Sequence, residues 1–278
     1  MKSIIPILTS VLTIMTPVLF AAAGGLFPAL AGTLNIALEG MLLAGAFSAL
    51  TVYYFSGSVA AAVAAASCAA MALSALHAFT TFKLRANVFI AGLAVNLFSS
   101  GLCTVLSGKI FNTRGVVAAQ NVPAFGYRYL FFALFLLLAA HIVINKTLFG
   151  YRLRACDKNG EALISLGIDP QFYKITALLV SGFFCGIGGS FLSLNLGAFV
   201  PGMSAGKGWI ALVVIFLGGR KPLGILAATF AFAVADAFSN YAQGLWRLPA
   251  DFILAFPYVC TLIAIVVVSK YIKNSHNF

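Results

Sequence analysis

Long apolar runs separated by short polar connections make up almost the whole hydropathy pattern of the chain. An α-helix needs about 20 apolar residues to cross the hydrocarbon core of a bilayer. The runs do not alternate between polar and apolar residues, as the strands of a transmembrane β-barrel do. The pattern therefore predicts apolar helical segments at residues 3–23, 34–55, 59–82, 87–107, 128–149, 173–194, 207–219, 222–243 and 250–270.

The segment at residues 207–219 is too short to cross a membrane alone. We expect it to join the irregular stretch 195–206 in one interrupted crossing. The predicted fold class is an all-α polytopic transmembrane helical bundle of about 8–10 spans with interrupted helices. Residues 1–278 are expected to form a single transmembrane domain.

Composition agrees with a membrane location, because only 8% of the 278 residues are charged and 62% are hydrophobic. A soluble domain carries about 25% charged residues. The net charge of +11 comes mainly from Lys and Arg in short loops. No basic run with interleaved aromatic residues is present, so nucleic-acid binding is not predicted.

Four basic clusters predict how the chain is oriented in the membrane. They lie at residues 83–85, 152–158, 220–221 and 270–273, and the predicted spans bring all four to the same side. Loops rich in Lys and Arg stay in the cytoplasm. We therefore expect a cytoplasmic C-terminus and an N-terminus outside.

Glycine and proline residues predict two helix breaks, one at residues 24–32 and one at residues 197–208. Non-helical backbone survives at membrane depth only where protein or a watery cavity covers it. Two breaks in separate parts of one chain indicate a translocation pathway. The alternative interpretation is a pair of ordinary surface loops.

Polar residues also recur at helical spacing inside the predicted spans. In hydrocarbon such residues are costly, so they point either to a hydrophilic solute or to hydrogen bonds between helices. The residues themselves leave both interpretations open. The sets are Asn35 with Glu39; Asn87, Gly92, Asn96 and Ser100; and Asp236, Asn240 and Gln243.

The segment at residues 150–172 is the most polar part of the chain and carries helix punctuation. Asp157 or Asn159 is suited to cap a helix, Glu161 to its first turn, and Gly167 to its end. A short helix that exposes leucine and isoleucine to the cytoplasm predicts a protein partner. The alternative is a helix that lies flat on lipid headgroups.

No catalytic constellation stands out among the three histidines and six acidic residues. The chain lacks the GxxxxGK[ST] phosphate loop, so we expect any nucleotide hydrolysis to occur on a partner chain. The five cysteines form no CxxC or Cys/His pattern. The sequence therefore predicts neither an enzyme nor a bound metal or cofactor.

Three motifs resemble the permeases of ABC importers of the ribose and branched-chain amino acid type. They are GGLFPALAGTLNIALEGMLLAGAF at residues 24–47, RACDKNGEALISLGID at 154–169 and FVPGMSAGKGWIALVVIFLGGRKPLG at 199–224. The likeness is greatest to the nucleoside or simple-sugar branch that works with a basic-membrane-protein lipoprotein. Ala37 and Asp157 stand where these motifs usually have glycine, and Gly160-Glu161 replaces a common proline-containing pair.

The resemblance implies a permease domain that passes a purine nucleoside or a simple sugar across the bacterial inner membrane. Its implied partners are an ATP-binding subunit, a second and non-identical permease subunit, a substrate-binding lipoprotein and membrane lipid. The two breaks and the polar positions in the spans, rather than the resemblance, give the expected pathway residues Asn35, Glu39, Asn96, Pro201, Gly206 and Gly208. The residues implied to couple to the ATPase are Arg154, Ala155, Asn159, Gly160, Glu161, Ala162 and Gly167.

Two other functions stay open on the sequence. A riboflavin importer permease would share the same family motifs. An ion-coupled secondary transporter would need an intramembrane ion site, for which Glu39 and Asp236 are the candidate residues.

Overall fold

The computed structural model describes residues 4–123 and 128–245 of the chain. The predicted last span at 250–270 and the basic cluster at 270–273 lie outside these residues. The helices are α1 Ile4–Leu30, α2 Leu38–Ser56, α3 Val59–Ala78, α4 Val88–Phe111, α5 Arg128–Lys146, α6 Leu148–Lys158, α7 Gly160–Ser165, α8 Pro170–Leu196, α9 Lys207–Leu217 and α10 Pro222–Leu245. A π-helical turn, Phe79–Lys83, continues α3, and two short strands are β1 Val117–Ala118 and β2 Ala198–Phe199.

Within the described residues, seven helices are long and apolar enough to cross a membrane: α1 to α5, α8 and α10. Helix α9 is a shorter apolar helix. The strands contribute only a two-residue antiparallel pair, Val117 with Phe199 and Ala118 with Ala198. This confirms the predicted all-α polytopic bundle.

Short polar residues fix where several helices begin. The side chain of Asn87 accepts a hydrogen bond from the backbone N–H of Phe89 at 2.9 Å, at the start of α4. Asp169 does the same for Gln171 at 2.8 Å, and Pro170 follows it as the first residue of α8. Such caps satisfy N–H groups that have no partner inside the helix.

Helix α8 is the centre of the bundle and packs against α1, α2 and α3. Its glycines allow this close approach. A Cβ atom on Gly186 would lie 2.5 Å from Ser67 Cα in α3, and one on Gly182 would lie 2.7 Å from Ser74 Cβ. Small residues at helix contacts are typical of membrane bundles, where backbones approach one another directly.

The first break begins later than the sequence predicted. Helix α1 continues through Gly24, Gly25 and Pro28, and the irregular stretch is 31–37. The two glycines serve packing instead, since a Cβ on Gly24 would lie 2.5 Å from Phe184 Cβ. The prediction that they interrupt the chain is therefore wrong, because neighbouring helices enforce the helix.

The second break begins at Gly197 as predicted, since α8 extends to Leu196 and turns at Gly197, where φ is +68°. Strand β2 follows, and a series of turns over 200–206 leads into α9. The predicted irregular stretch of 195–206 is thus shortened at its beginning by two residues that remain helical. The glycine supplies the left-handed conformation that ends the helix.

Candidate functional site

The two helix breaks meet at the beginnings of α2 and α9. Glu39, in the first turn of α2, accepts hydrogen bonds from the backbone N–H groups of Gly206 and Gly208, each at 2.7 Å. One carboxylate oxygen takes each bond. A helix N-terminus has unsatisfied N–H groups and a partial positive charge, and the Glu39 carboxylate supplies both acceptors and a negative charge.

This junction lies near the middle of the bundle rather than at its surface. Asn35, in the irregular stretch before α2, donates to Ser181 Oγ at 2.9 Å. Ser181 follows the first residue of α8 by eleven positions, which corresponds to about 16 Å of helix. The break at 31–37 is therefore a segment that enters the bundle, not a surface loop.

Three amide and hydroxyl groups satisfy the backbone of this break. Asn96 of α4 accepts from the Gly40 N–H at 2.7 Å and donates to the Ile36 carbonyl at 2.9 Å. Ser99, one turn later, donates to the Gly40 carbonyl at 2.6 Å. Asn35 Oδ1 accepts from the Ala37 N–H at 3.1 Å. These side chains replace the hydrogen bonds that a continuous helix would make.

The pathway candidates on the α9 side differ in accessibility. Gly208 is buried, and a Cβ there would overlap the backbone of Glu39. Gly206 is half-buried with φ of +80°, a conformation that glycine adopts without strain. Pro201, at the start of the turns, is exposed.

A charged and polar face adjoins the junction on α9 and α10. Lys207, the first residue of α9, is half-buried and its charge interacts with those of Asp236 and Glu39. Asn240, one turn after Asp236, is exposed. The side chain of Gln243 lies outside the described residues.

At one end of the bundle, the polar segment forms two short helices rather than one. Helix α6 ends at Lys158 and α7 begins at Gly160, so Asn159 joins them. The sequence offered Asp157 or Asn159 as the cap of this helix. Asp157 does not cap α7, so that alternative is wrong. Asn159 occupies the N-cap position, but its side chain makes no capping hydrogen bond there. Gly167 ends the turn after α7 with φ of +75°, as the sequence predicted.

The predicted coupling residues share this end of the bundle, which we call the α6–α7 end. Asn159, Glu161, Ala162 and Gly167 are exposed, while Ala155 and Gly160 are half-buried. The apolar side chains of Ile164 and Leu166 are 64% and 74% exposed. Arg154 donates to Asn145 Oδ1 at 3.3 Å and lies 5.0 Å above the Tyr151 ring.

Asp157 connects the α6–α7 end to the first break and to the end of α9. Its carboxylate pairs with Arg220, just beyond α9, at 3.3 Å. It also lies against Gly32, where a Cβ would stand 2.5 Å from Asp157 Oδ1. The residue that replaces a family glycine therefore contacts the end of α9 and the start of the irregular stretch.

Sequence reasoning missed three participants in this arrangement. Ser99, Ser181 and Lys207 all contact or face the junction. Ser99 and Ser181 are indistinguishable in sequence from the many serines that bond only to their own helix. Lys207 carried a signal, since a lysine at the start of an apolar helix is costly in lipid unless it finds partners.

Comparison with known proteins matches residues 7–266 of the chain to the family described as "Branched-chain amino acid transport system / permease component". The nucleoside ABC transporter permease protein NupC of Lactococcus lactis subsp. cremoris is 28% identical, covering 93% of this chain and 90% of its own. The guanosine ABC transporter permease protein NupQ of Bacillus subtilis is 26% identical with the same coverage. The putative glucose ABC transporter permease protein TsgC13 of Haloferax volcanii is 28% identical over 83% of this chain and 75% of its own.

These relatives are permease subunits of ABC transporters and not enzymes, in agreement with the motifs quoted above. The relatives named here are nucleoside, guanosine and putative glucose permeases by name, and none of them favours the riboflavin alternative. Because the family match covers almost the whole sequence, the chain belongs to this family of ABC transporter permease components.

Proposed function

We propose that the chain is one permease subunit of an ABC importer that passes a neutral, hydroxyl-rich solute, a purine nucleoside or a simple sugar. A binding lipoprotein delivers the solute, and ATP-binding subunits in the cytoplasm drive its passage. A second, non-identical permease subunit completes the pathway in a bacterial inner membrane. The support comes from the junction of the two breaks and from the nucleoside and glucose permeases among the relatives.

The observation that carries the proposal is the pair of bonds from Gly206 and Gly208 to Glu39. In transporters with broken helices, a free helix N-terminus commonly receives an anionic group of the substrate. Here an internal carboxylate already takes that position. A solute with its own carboxylate, such as an amino acid, would meet no free N–H pair and would face a like charge.

We place the route along the face of α9 and α10 and the turns at 200–206. Pro201 and Asn240 are exposed on this face, and Lys207 and Asp236 are half-buried. Polar side chains in a span avoid lipid and face protein or water. A second permease subunit facing this surface would enclose a polar route between the two chains.

In this arrangement the pathway residues have two roles. Pro201 and Gly206 belong to the wall that the solute passes, and the buried Gly208 lets α9 approach Glu39 behind that wall. Asn35 and Asn96 act as positioning residues, because their amides bond to the backbone and to Ser181.

The ATP-binding subunit docks on the α6–α7 end in this proposal. Exposed Ile164 and Leu166 offer it an apolar contact of the kind that partners cover. The basic loops at the same end support a cytoplasmic location for it. Movement of α6 would reach α9 through the contact between Asp157 and Arg220.

Transport by the assembled complex tests the proposal. The chain is co-expressed with its partner subunits and binding protein in cells that lack other nucleoside uptake, and entry of radiolabelled guanosine and glucose is measured. We expect ATP-dependent uptake of one of these solutes, with competition by related neutral solutes and none by leucine. Uptake of leucine, or guanosine and glucose uptake that needs an ion gradient and no ATP, would overturn it.

A further inference from the structure

A basic cleft opens at the α6–α7 end, between α5 and α6 on one side and the α9–α10 turn on the other. Its volume is about 990 Å³. Among the described residues that line it are five Lys or Arg side chains and one acid, Asp157. The five basic residues are Lys146, Arg154, Lys158, Arg220 and Lys221.

Two of these cations are held in place by contacts inside the chain. Arg154 bonds to Asn145 at 3.3 Å, and Arg220 bonds to Asp157 at 3.3 Å while lying 5.5 Å from the Phe216 ring. A guanidinium has five N–H donors. One bond each leaves donors free for a ligand with several oxygens, and phosphate is the group whose geometry Arg matches best.

The cleft also has an apolar part, which distinguishes it from a site for a free ion. Leu30, Ile144, Phe216 and Leu223 line it together with the basic residues. Leu223, the second residue of α10, is 72% exposed, and Phe216 is 41% exposed. Both belong to helices that lie within the membrane-spanning bundle, so hydrocarbon is available to cover them.

We propose that this cleft binds the headgroup phosphate of an anionic phospholipid, whose acyl chains cover Leu223 and Phe216. Basic pockets between transmembrane helices are suited to such headgroups. The lipid would lie beside the contact between Asp157 and Arg220 and would join α5–α6 to the α9–α10 turn. The inference rests on the chain being a membrane protein and not on which solute it transports.

The competing occupant is an acidic segment of the ATP-binding subunit. The carboxylates of such a segment would match the charges but would not cover Leu223 and Phe216, which extend from helices of the membrane-spanning bundle. A phospholipid matches both the charges and the apolar side chains, so the combination favours lipid.

Native mass spectrometry of the assembled complex, titrated with phosphatidylglycerol or phosphatidylcholine, tests the site. The variant carries Lys146→Gln, Lys158→Gln and Lys221→Gln, none of which is among the proposed pathway or coupling residues. We expect its affinity for phosphatidylglycerol to fall by about a hundredfold, because each of the three basic residues near an anionic surface contributes roughly fivefold. The same three positions changed to Arg should keep wild-type binding.

The matched control carries Lys83→Gln, Arg85→Gln and Lys174→Gln, three cations at the same end of the bundle but outside the cleft. It should bind phosphatidylglycerol as the wild type does. Equal loss in both triple variants, or equal binding of phosphatidylcholine, would overturn the proposal. So would displacement of phosphatidylglycerol by millimolar inorganic phosphate, or a cleft that binds lipid in the isolated chain but not in the complex.

Discussion

Inside the bundle, two backbone N–H groups donate hydrogen bonds to the Glu39 carboxylate. An acid within a transmembrane segment is costly, and it persists where it pairs with a donor or faces water. Bonds of 2.7 Å to Gly206 and Gly208 are in the range of charge-assisted hydrogen bonds, which are about twice as strong as neutral ones. The same carboxylate therefore stabilises the start of α9 and joins it to α2.

Replacing Glu39 with Ala should destabilise the subunit by about 3–5 kcal/mol, because the change leaves two N–H groups without acceptors. The apparent melting temperature of the purified complex should fall by roughly 10 °C. Glu39→Gln keeps one acceptor oxygen and should show a smaller decrease. If the Glu39→Ala complex had the same melting temperature as the wild type, the junction would not depend on this carboxylate.

Gly208→Ala tests the close approach of α9 to α2. A Cβ there overlaps the backbone of Glu39, and Glu39 cannot move without breaking the junction. We therefore expect the free energy of unfolding to fall by about 1–3 kcal/mol or more. The measurement is the amount of folded complex that accumulates in membranes. Gly101→Ala is the control, since nothing lies within 4 Å of a Cβ at that position. Normal accumulation of Gly208→Ala would contradict the described packing.

At the scale of elements, α9 connects the junction to the α6–α7 end. Its first residues bond to Glu39 at the junction, and Arg220, just past its end, pairs with Asp157 of α6. The helix has 11 residues and is about 16 Å long. A displacement at the α6–α7 end could thus be passed to the junction through one short rigid element.

The pair of Asp157 and Arg220 tests this connection. Both side chains are partly exposed, so the pair should contribute at most about 1 kcal/mol to stability. We expect Asp157→Asn to leave the amount of complex unchanged but to lower the solute transported per ATP hydrolysed severalfold. Exchanging the charges, with Asp157→Arg and Arg220→Asp together, should restore part of the ratio. An unchanged ratio in the single variant would show that α9 receives no movement through this contact.

At the scale of the whole molecule, the described bundle has surfaces of two chemical kinds. Helices α4 and α5 expose large apolar side chains, such as Leu97 at 76% and Phe131 at 69%, as expected of surfaces that face lipid. The face of α9 and α10 instead carries Lys207, Asp236 and Asn240. Lipid suits the first kind of surface, and a partner chain or a water-filled route suits the second.

Cysteine labelling of intact cells tests the orientation of the whole subunit. A cysteine at Gln120, near the paired strands, should react with a membrane-impermeant maleimide, whereas one at Glu161 should react only after the membrane is opened. The native Cys156 should contribute little signal, because burial raises the pKa of its thiol and keeps the thiolate scarce. Labelling of the Glu161 position in intact cells would reverse the proposed topology, including the cytoplasmic C-terminus.

Much of the architecture was accessible from hydropathy alone. The long helices, the short α9 and the short helical segment between α5 and α8 follow from apolar run length and local capping residues, which act within one or two turns. The irregular stretch before α9 was also predictable, because Pro201, Gly202 and Gly206 lie close together and favour turns over a helix. Charge placement predicted that the basic loops share one side.

Tertiary structure decided the rest, because packing between distant segments determines what a polar or small residue does. Gly24 and Gly25 looked like a break but lie in a continuous helix, since Phe184 and Ile215 approach them closely. Asn35 and Asn96 could equally have met a solute by their spacing, yet their amides bond to the backbone around the break and to Ser181. Glu39 meets Gly206 across 167 positions of sequence, a distance at which no local pattern carries information.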